Sequence, residues 1–247
     1  MQLPFEIDHS VETTKALGLI VLSADETIER EFREIFHRQA AALYHTRIES
    51  APDVTPETLM LMKDRLTDAA GFLPGNTPLS VVGYACTSGA TVIGADAVAA
   101  AVGRAHGSAK VTNPASAVVA ALKHLNVTRV GVVSPYVEEV SNAVCALLRD
   151  NDLDPVRVGS FGQGEEAVVA RIALGSVEDA ICSVGSDPQV EAVFTSCTNL
   201  RTFPVIEACE KRLGKPVISS NLALAWHMMT LAGLGTAGQG PGRLFAG

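Results

Sequence analysis

The stretch Gly131-Val132-Val133-Ser134-Pro135-Tyr136 repeats the character of Gly18-Leu19-Ile20-Val21-Leu22-Ser23, and reading the two together decides the fold. Each opens on glycine, continues as a short unbroken apolar run and leads into a long helical stretch. At nearly equal distances downstream, each is followed by a strand ending in Cys-Thr: Tyr84-Ala85-Cys86-Thr87 in the first half and Thr195-Ser196-Cys197-Thr198 in the second. A third pairing joins Lys110-Val111-Thr112-Asn113-Pro114-Ala115-Ser116 to Lys215-Pro216-Val217-Ile218-Ser219-Ser220-Asn221, where a strand ends in small polar residues that open an apolar helix. The chain is therefore expected to be an α/β protein of two similar lobes. Residues 1–126 form an N-terminal lobe carrying Cys86, and residues 127–247 form a C-terminal lobe carrying Cys197, whose last segment is free to pack back on the first lobe.

Working outward, short β-branched runs alternate with amphipathic stretches along the whole chain, the pattern of parallel strands joined by crossover helices. Strands are expected at Leu17–Leu22, Leu79–Tyr84, Arg129–Val133, Val156–Ser160, Ala192–Thr195 and Pro216–Ser219. Helical spacing of apolar residues marks Ser116–Leu125 and Val137–Asp150 as core-facing helices.

With 247 residues, 47% of them hydrophobic, the chain can bury a substantial core. A formal net charge of −8 without clustered Lys or Arg argues against a nucleic-acid partner. No apolar run approaches the roughly 20 residues of a membrane span, and Met1 to Ser10 carries Glu6 and Asp8 in place of a basic leader, so the expected location is cytoplasmic. Five cysteines at wide spacing, with no CxxC and no histidine at zinc-site distance, suggest neither a disulfide framework nor a metal site.

In an open parallel sheet, ligands meet the residues just beyond the carboxyl ends of strands. Both Cys-Thr pairs are expected there, and helices starting after them would offer free amides to a carboxylate and help hold a thiol ionised. A single strand-end cysteine is usually a buried hydrophobe. Two at matching repeat positions point instead to thiols flanking one cleft. Cys145, Cys182 and Cys209 fall in helical patterns and are read as packing residues. Gly233-Leu234-Gly235-Thr236-Ala237-Gly238 matches a dinucleotide fingerprint in letters only, since it follows a helix and lacks room for a βαβ unit. It is read as a glycine-rich loop over the domain edge, with Arg243 on the surface. None of the six histidines forms a metal-spaced pair; His9 is assigned to a tail, while His45 and Arg47 are placed as strand residues of structural role. No G-x-S-x-G supports a serine triad.

The combination of Gly18–Glu29, Tyr84–Ala90, Ser134–Val140, Ser196–Thr202 and Gly242–Phe245 resembles the maleate isomerase branch of the aspartate/glutamate racemase superfamily, which also contains arylmalonate decarboxylase. The resemblance implies a pseudo-twofold pair of lobes, no cofactor, and a catalytic cysteine from each lobe, Cys86 and Cys197. It further implies that Tyr136, Thr87, Ser88, Thr198 and Asn199 hold substrate, and that the chain is a homodimer or larger. In the decarboxylase only the second-lobe cysteine is present; cysteine at both positions favours isomerisation of a small carboxylic acid. Racemisation of an amino-substituted acid and non-catalytic binding of a small acid are the alternatives.

One departure bears on substrate. Where maleate isomerases carry asparagines, this chain has Asp25 and Glu166. A carboxylate about 4 Å from a dicarboxylate costs roughly 1 to 4 kcal/mol even with screening. Either acid could instead accept a charge-assisted bond from an ammonium or neutral polar group of the substrate, or face solvent.

Overall fold

A computed structural model describes residues 1–8, 14–37, 39 and 41–246. His9 lies outside these. Two four-stranded parallel sheets carry the chain. The first is built from β1 (Lys15–Leu22), β2 (Ala41–Ile48), β3 (Val81–Ala85) and β4 (Lys110–Thr112), in the order β2-β1-β3-β4. The second takes β5 (Arg129–Tyr136), β6 (Asp154–Gln163), β7 (Ala192–Thr195) and β8 (Val217–Ser219), in the order β6-β5-β7-β8. Strand for strand, the second sheet repeats the first, as a pseudo-twofold pair of lobes requires.

The helices α1 (Ile28–Phe36), α2 (Pro56–Gly71), α3 (Thr87–Ile93), α4 (Ala95–Gly103) and α5 (Pro114–His124) flank the first sheet. Around the second lie α6 (Glu138–Arg149), α7 (Glu166–Val169), α8 (Leu174–Gly185), α9 (Phe203–Leu213) and α10 (Ser220–Ala232). Sequence chemistry sets several starts: Thr55 and Thr58 form a capping box before α2, with Pro56 in its first turn, and Asn113 and Ser219 cap α5 and α10. Those last two helices occupy equivalent places in the repeat and pack against each other, while α10 also covers β3. Almost every residue of α10 is buried.

β1 and β5 are central strands, buried on both faces, so they read as continuous apolar runs. Their opening glycines have a packing reason. A Cβ on Gly18 would stand 2.6 Å from Leu73 Cδ1, and one on Gly131 would stand 2.6 Å from Val184 Cγ1. The edge strand β2 is absent from the strands expected above, although His45 and Arg47 fall within it as read. Its sequence, AALYHTRI, is half-exposed and mixed in polarity, so it lacks the signal of a buried strand. β6 also extends through Gly162 and Gln163, beyond the Val156–Ser160 expected above; Gln163 pairs with Tyr136 past a register shift. The tail behaves as read, with Leu244 and Phe245 buried in a 3-10 turn (Arg243–Phe245) and Arg243 exposed.

A buried carboxyl fastens the first lobe to the second. Glu31 of α1 is 5% exposed; its Oε1 accepts the amides of Thr202 (2.7 Å) and Phe203 (3.0 Å) at the start of α9, and its Oε2 accepts Asn221 Nδ2 (2.6 Å). Burial nonetheless outweighs these donors and raises the carboxyl to about 7. The folded state therefore holds a proton that the unfolded chain has released, so this group's contribution to stability declines as pH rises from the ordinary carboxyl range through about 7. Urea unfolding at about pH 5 and about pH 8 should show a smaller pH-dependent loss in Glu31→Gln than in the parent chain. Gly131→Ala should cost about 1–3 kcal/mol by the same measurement, and more than Gly18→Ala, because Val184 is β-branched and stiff whereas the end of Leu73 can rotate away.

Candidate active site

The site begins where two strands stop. β3 ends at Ala85, and Cys86, in extended conformation, caps α3 with its own sulfur: Sγ accepts the Gly89 amide at 3.1 Å. Gly89 must be small, since a Cβ there would lie 2.9 Å from that sulfur and 2.6 Å from the Tyr84 hydroxyl. In the second lobe Ser196 still bonds to β5 through its amide and Val133 O (2.8 Å), and Cys197 follows. The Cys197 sulfur accepts the Asn199 amide (3.2 Å) and lies 3.0 Å from the Tyr136 hydroxyl. No helix starts directly after Cys197, contrary to the sequence expectation; α9 begins only at Phe203.

Both thiols line one narrow cavity of about 10 Å³, together with Thr87, Ser88, Tyr136, Glu166, Thr198, Leu22, Val54 and Leu59. That is room for about one water, so a substrate enters only as the wall moves apart. Asp25 and Asn199 do not line it and stand behind its wall. The solvent-facing reading of the two acids is overturned: Asp25 is 3% exposed and Glu166 5%. Asp25 Oδ1 accepts the amides of Thr27 (2.8 Å) and Ile28 (2.9 Å), opening α1, and the Thr198 hydroxyl faces the same carboxyl. Glu166 Oε1 accepts the Tyr136 hydroxyl and Oε2 accepts Asn199 Nδ2, each at 2.8 Å. Of the cavity hydroxyls, Ser88 Oγ is buried with no partner among the described residues.

Tyr136 closes β5 and is positioned by serines. Ser134 Oγ accepts its amide (3.2 Å), and Ser141 and Ser160 both donate to its carbonyl. Asn199 does the corresponding work between lobes. Its Oδ1 accepts the Glu26 amide (2.9 Å), its carbonyl accepts the Thr27 hydroxyl (2.8 Å), and its Nδ2 reaches Glu166. A second seam is made by backbone alone, with Val54 N–H donating to Gly164 O and Glu166 N–H to Pro52 O. Arg47, read as structural, donates to the carbonyls of Leu22, Ser23 and Asp25, and so braces the loop that carries Asp25.

The electrostatics reverse the expectation of a thiol held ionised. Burial pushes Cys86 up to about 12 and Cys197 well above the usual thiol range, with the Glu166 and Asp25 carboxyls adding to both and the Gly89 and Asn199 amides only partly opposing. Burial also raises Asp25 and Glu166. Among the described residues no Lys, Arg or His lines the cavity. Among the described residues no group of three or more His, Cys, Asp or Glu is disposed to hold a metal ion.

Sequence reasoning missed the apolar wall of Leu22, Val54 and Leu59 and the brace from Glu31 to Asn221. The Thr55-Pro56-Glu57-Thr58 run marks a helix start, yet nothing in it shows that its flanks reach a cleft shared with the other lobe.

A duplicated α/β protein with one cysteine from each lobe in a single cavity defines a narrow class. The chain belongs to the arylmalonate decarboxylase family, whose model matches residues 17–245. Arylmalonate decarboxylase of Bordetella bronchiseptica is 33% identical over 136 residues, covering 54% of this chain and 57% of that protein. Maleate isomerase of Nocardia farcinica is 26% identical over 239 residues, 93% of this chain and 95% of the relative. A solved structure of Nocardia farcinica maleate cis-trans isomerase, a cysteine-to-serine mutant with a covalently bound succinylcysteine intermediate, superposes with a TM-score of 0.82 at 26% identity over 94% of this chain and 98% of that one. A liganded double mutant of arylmalonate decarboxylase superposes with a TM-score of 0.85 at 27% identity, over 94% and 99%.

Asn199→Ala should lower stability by about 1–3 kcal/mol in urea unfolding, because it leaves one buried Glu166 oxygen and the partly buried Glu26 amide without their partner.

Proposed function

We propose that the chain is a cofactor-independent isomerase of a small carboxylic acid, acting like a maleate cis-trans isomerase through Cys86 and Cys197. The observation that carries this reading is the presence of both strand-end thiols, one from each repeat, on the wall of one cavity. The covalent succinylcysteine of the Nocardia farcinica relative supports a sulfur nucleophile on this scaffold.

Cys86 as thiolate adds to one alkene carbon, forming a C–S bond and sending the π electron pair toward the neighbouring carboxylate as an enediolate. Cys197 delivers a proton to the adjacent carbon, leaving a C–C single bond that rotates. Cys197 then removes the proton, the C–S bond breaks, and the trans acid departs with the Cys86 thiolate restored. The hydroxyls of Thr87, Ser88 and Thr198 supply donors to the carboxylate and to the enediolate oxygens; Ser88, with no partner among the described residues, is free to do so. Asp25 and Asn199 act from behind the wall by holding the loops that meet the substrate.

Maleate itself fits if Glu166 is neutral, and burial moves it in that direction; an acid bearing a neutral or ammonium substituent fits the ionised form. No helix among the described residues is long and apolar enough to cross a membrane. A cytoplasmic homodimer or larger assembly completes the proposal.

A panel of small mono- and dicarboxylic acids followed by proton NMR should show cis-trans conversion of one member. Cys86→Ala should remove turnover while leaving affinity within about threefold, a loss confined to the chemical step. Deuterium appearing at the α-carbon of recovered substrate, without geometric conversion, would instead identify a racemase. Full activity of Cys86→Ala would end the proposal.

A further inference from the structure

We propose that Cys197, Tyr136 and Glu166 form a proton relay, in which the Glu166 carboxyl takes up and returns the thiol proton through the Tyr136 hydroxyl without recourse to bulk water. The inference rests on the reading of Cys197 as the proton-bearing thiol.

The three groups stand in line. Cys197 Sγ is 3.0 Å from Tyr136 Oη, and Tyr136 Oη is 2.8 Å from Glu166 Oε1. The geometry beyond the line fixes its direction. Asn199 Nδ2 donates to Glu166 Oε2, which leaves Oε1 turned to the tyrosine. With the phenolic proton directed at Glu166, the tyrosine oxygen can only accept from sulfur. As the phenolic proton moves to Oε1, the thiol proton moves to Oη. The result is a thiolate, an intact phenol and a neutral carboxylic acid. No bond to carbon changes and nothing is oxidised; the reverse movement restores the thiol.

All three groups are buried, at 5% exposure or less. Among the described residues Glu166 is the one carboxyl on the cavity wall: besides it and the two cysteines the wall holds hydroxyl and apolar residues. The titratable groups facing Glu166 are Tyr136 on β5, Cys197 after β7, Cys86 before α3 and Asp25 after β1. The charged residues nearest α7 are turned outward, Arg171 pairing with Glu26 and Glu165 bridging through its backbone to Asp53. Burial raises the carboxyl and the thiol alike, so the line of hydrogen bonds carries the transfer and a match of acidities does not. A family position described above as asparagine thus gains a proton site in this chain. Glu166 acts through Tyr136 and is a positioning residue in this scheme.

Alkylation of Cys197 by iodoacetamide, read by peptide mass mapping, tests the relay without substrate. If thiolate forms by internal transfer, its fraction depends on the difference between two acidities and not on pH once the carboxyl has ionised. The wild-type rate should then vary by less than about threefold between about pH 7 and about pH 9, whereas an uncoupled thiol gains about tenfold per pH unit. Glu166→Gln and Tyr136→Phe should each restore the tenfold slope and react at least about tenfold more slowly near pH 7. A variant that merely loosened the cavity would raise the rate at every pH and leave the slope flat. A tenfold slope in the wild type, a flat profile in both variants, or a Cys197 that stays unmodified throughout while Cys86 reacts, overturns the relay. Inactivity toward every tested acid would sink the isomerase reading and leave this measurement decisive on its own terms.

Discussion

The junction between the lobes depends on Asn199. An amide side chain can donate and accept at once, and this one does both across the joint: it takes the Glu26 amide of the first lobe and gives to Glu166 of the second, while its backbone carbonyl takes the Thr27 hydroxyl. Those bonds set the height of Cys197, two residues earlier, against the loop that carries Asp25. Buried polar groups are costly unless paired, so the two loops meet in one register. Glu31 enforces the same register from the other side through the start of α9 and Asn221.

That constraint explains how two thiols with no contact in sequence share a cavity. Each lobe alone gives a strand-end cysteine and a ring of small polar residues. The apolar part of the wall comes chiefly from the first lobe, and the proton-bearing part, Tyr136 with Glu166 and Cys197, from the second. The duplicated halves have therefore separated their work. Cys86 caps a helix at once, whereas Cys197 faces a phenol and a carboxyl.

Much of this was legible in the chain. Repeated apolar runs after Gly18 and Gly131 disclose central strands, because a strand buried on both faces cannot carry polar residues at alternate positions. β2 was hidden for the opposite reason: as a half-exposed edge it carries Tyr44, His45 and Arg47 among its apolar residues. Cys86, Cys197 and Tyr136 could be picked out by their places after strands. The orientation of Asp25 and Glu166 could not, since burial of a carboxyl depends on how the two lobes close over it, and no local pattern encodes Asn199 reaching Glu26. The acidity of the thiols was misjudged from sequence because the helix-start argument counts favourable amides and is blind to desolvation, which here dominates.

The cavity has a kinetic consequence. Cys86 and Cys197 are 5% and 2% exposed, so a solute can meet either sulfur only while part of the surrounding wall is displaced. How often that displacement occurs puts a ceiling on throughput, whatever the speed of bond making. Dissolved peroxide and other thiol poisons face the same restricted passage, which gives the reactive sulfurs a measure of protection that an open cleft would lack.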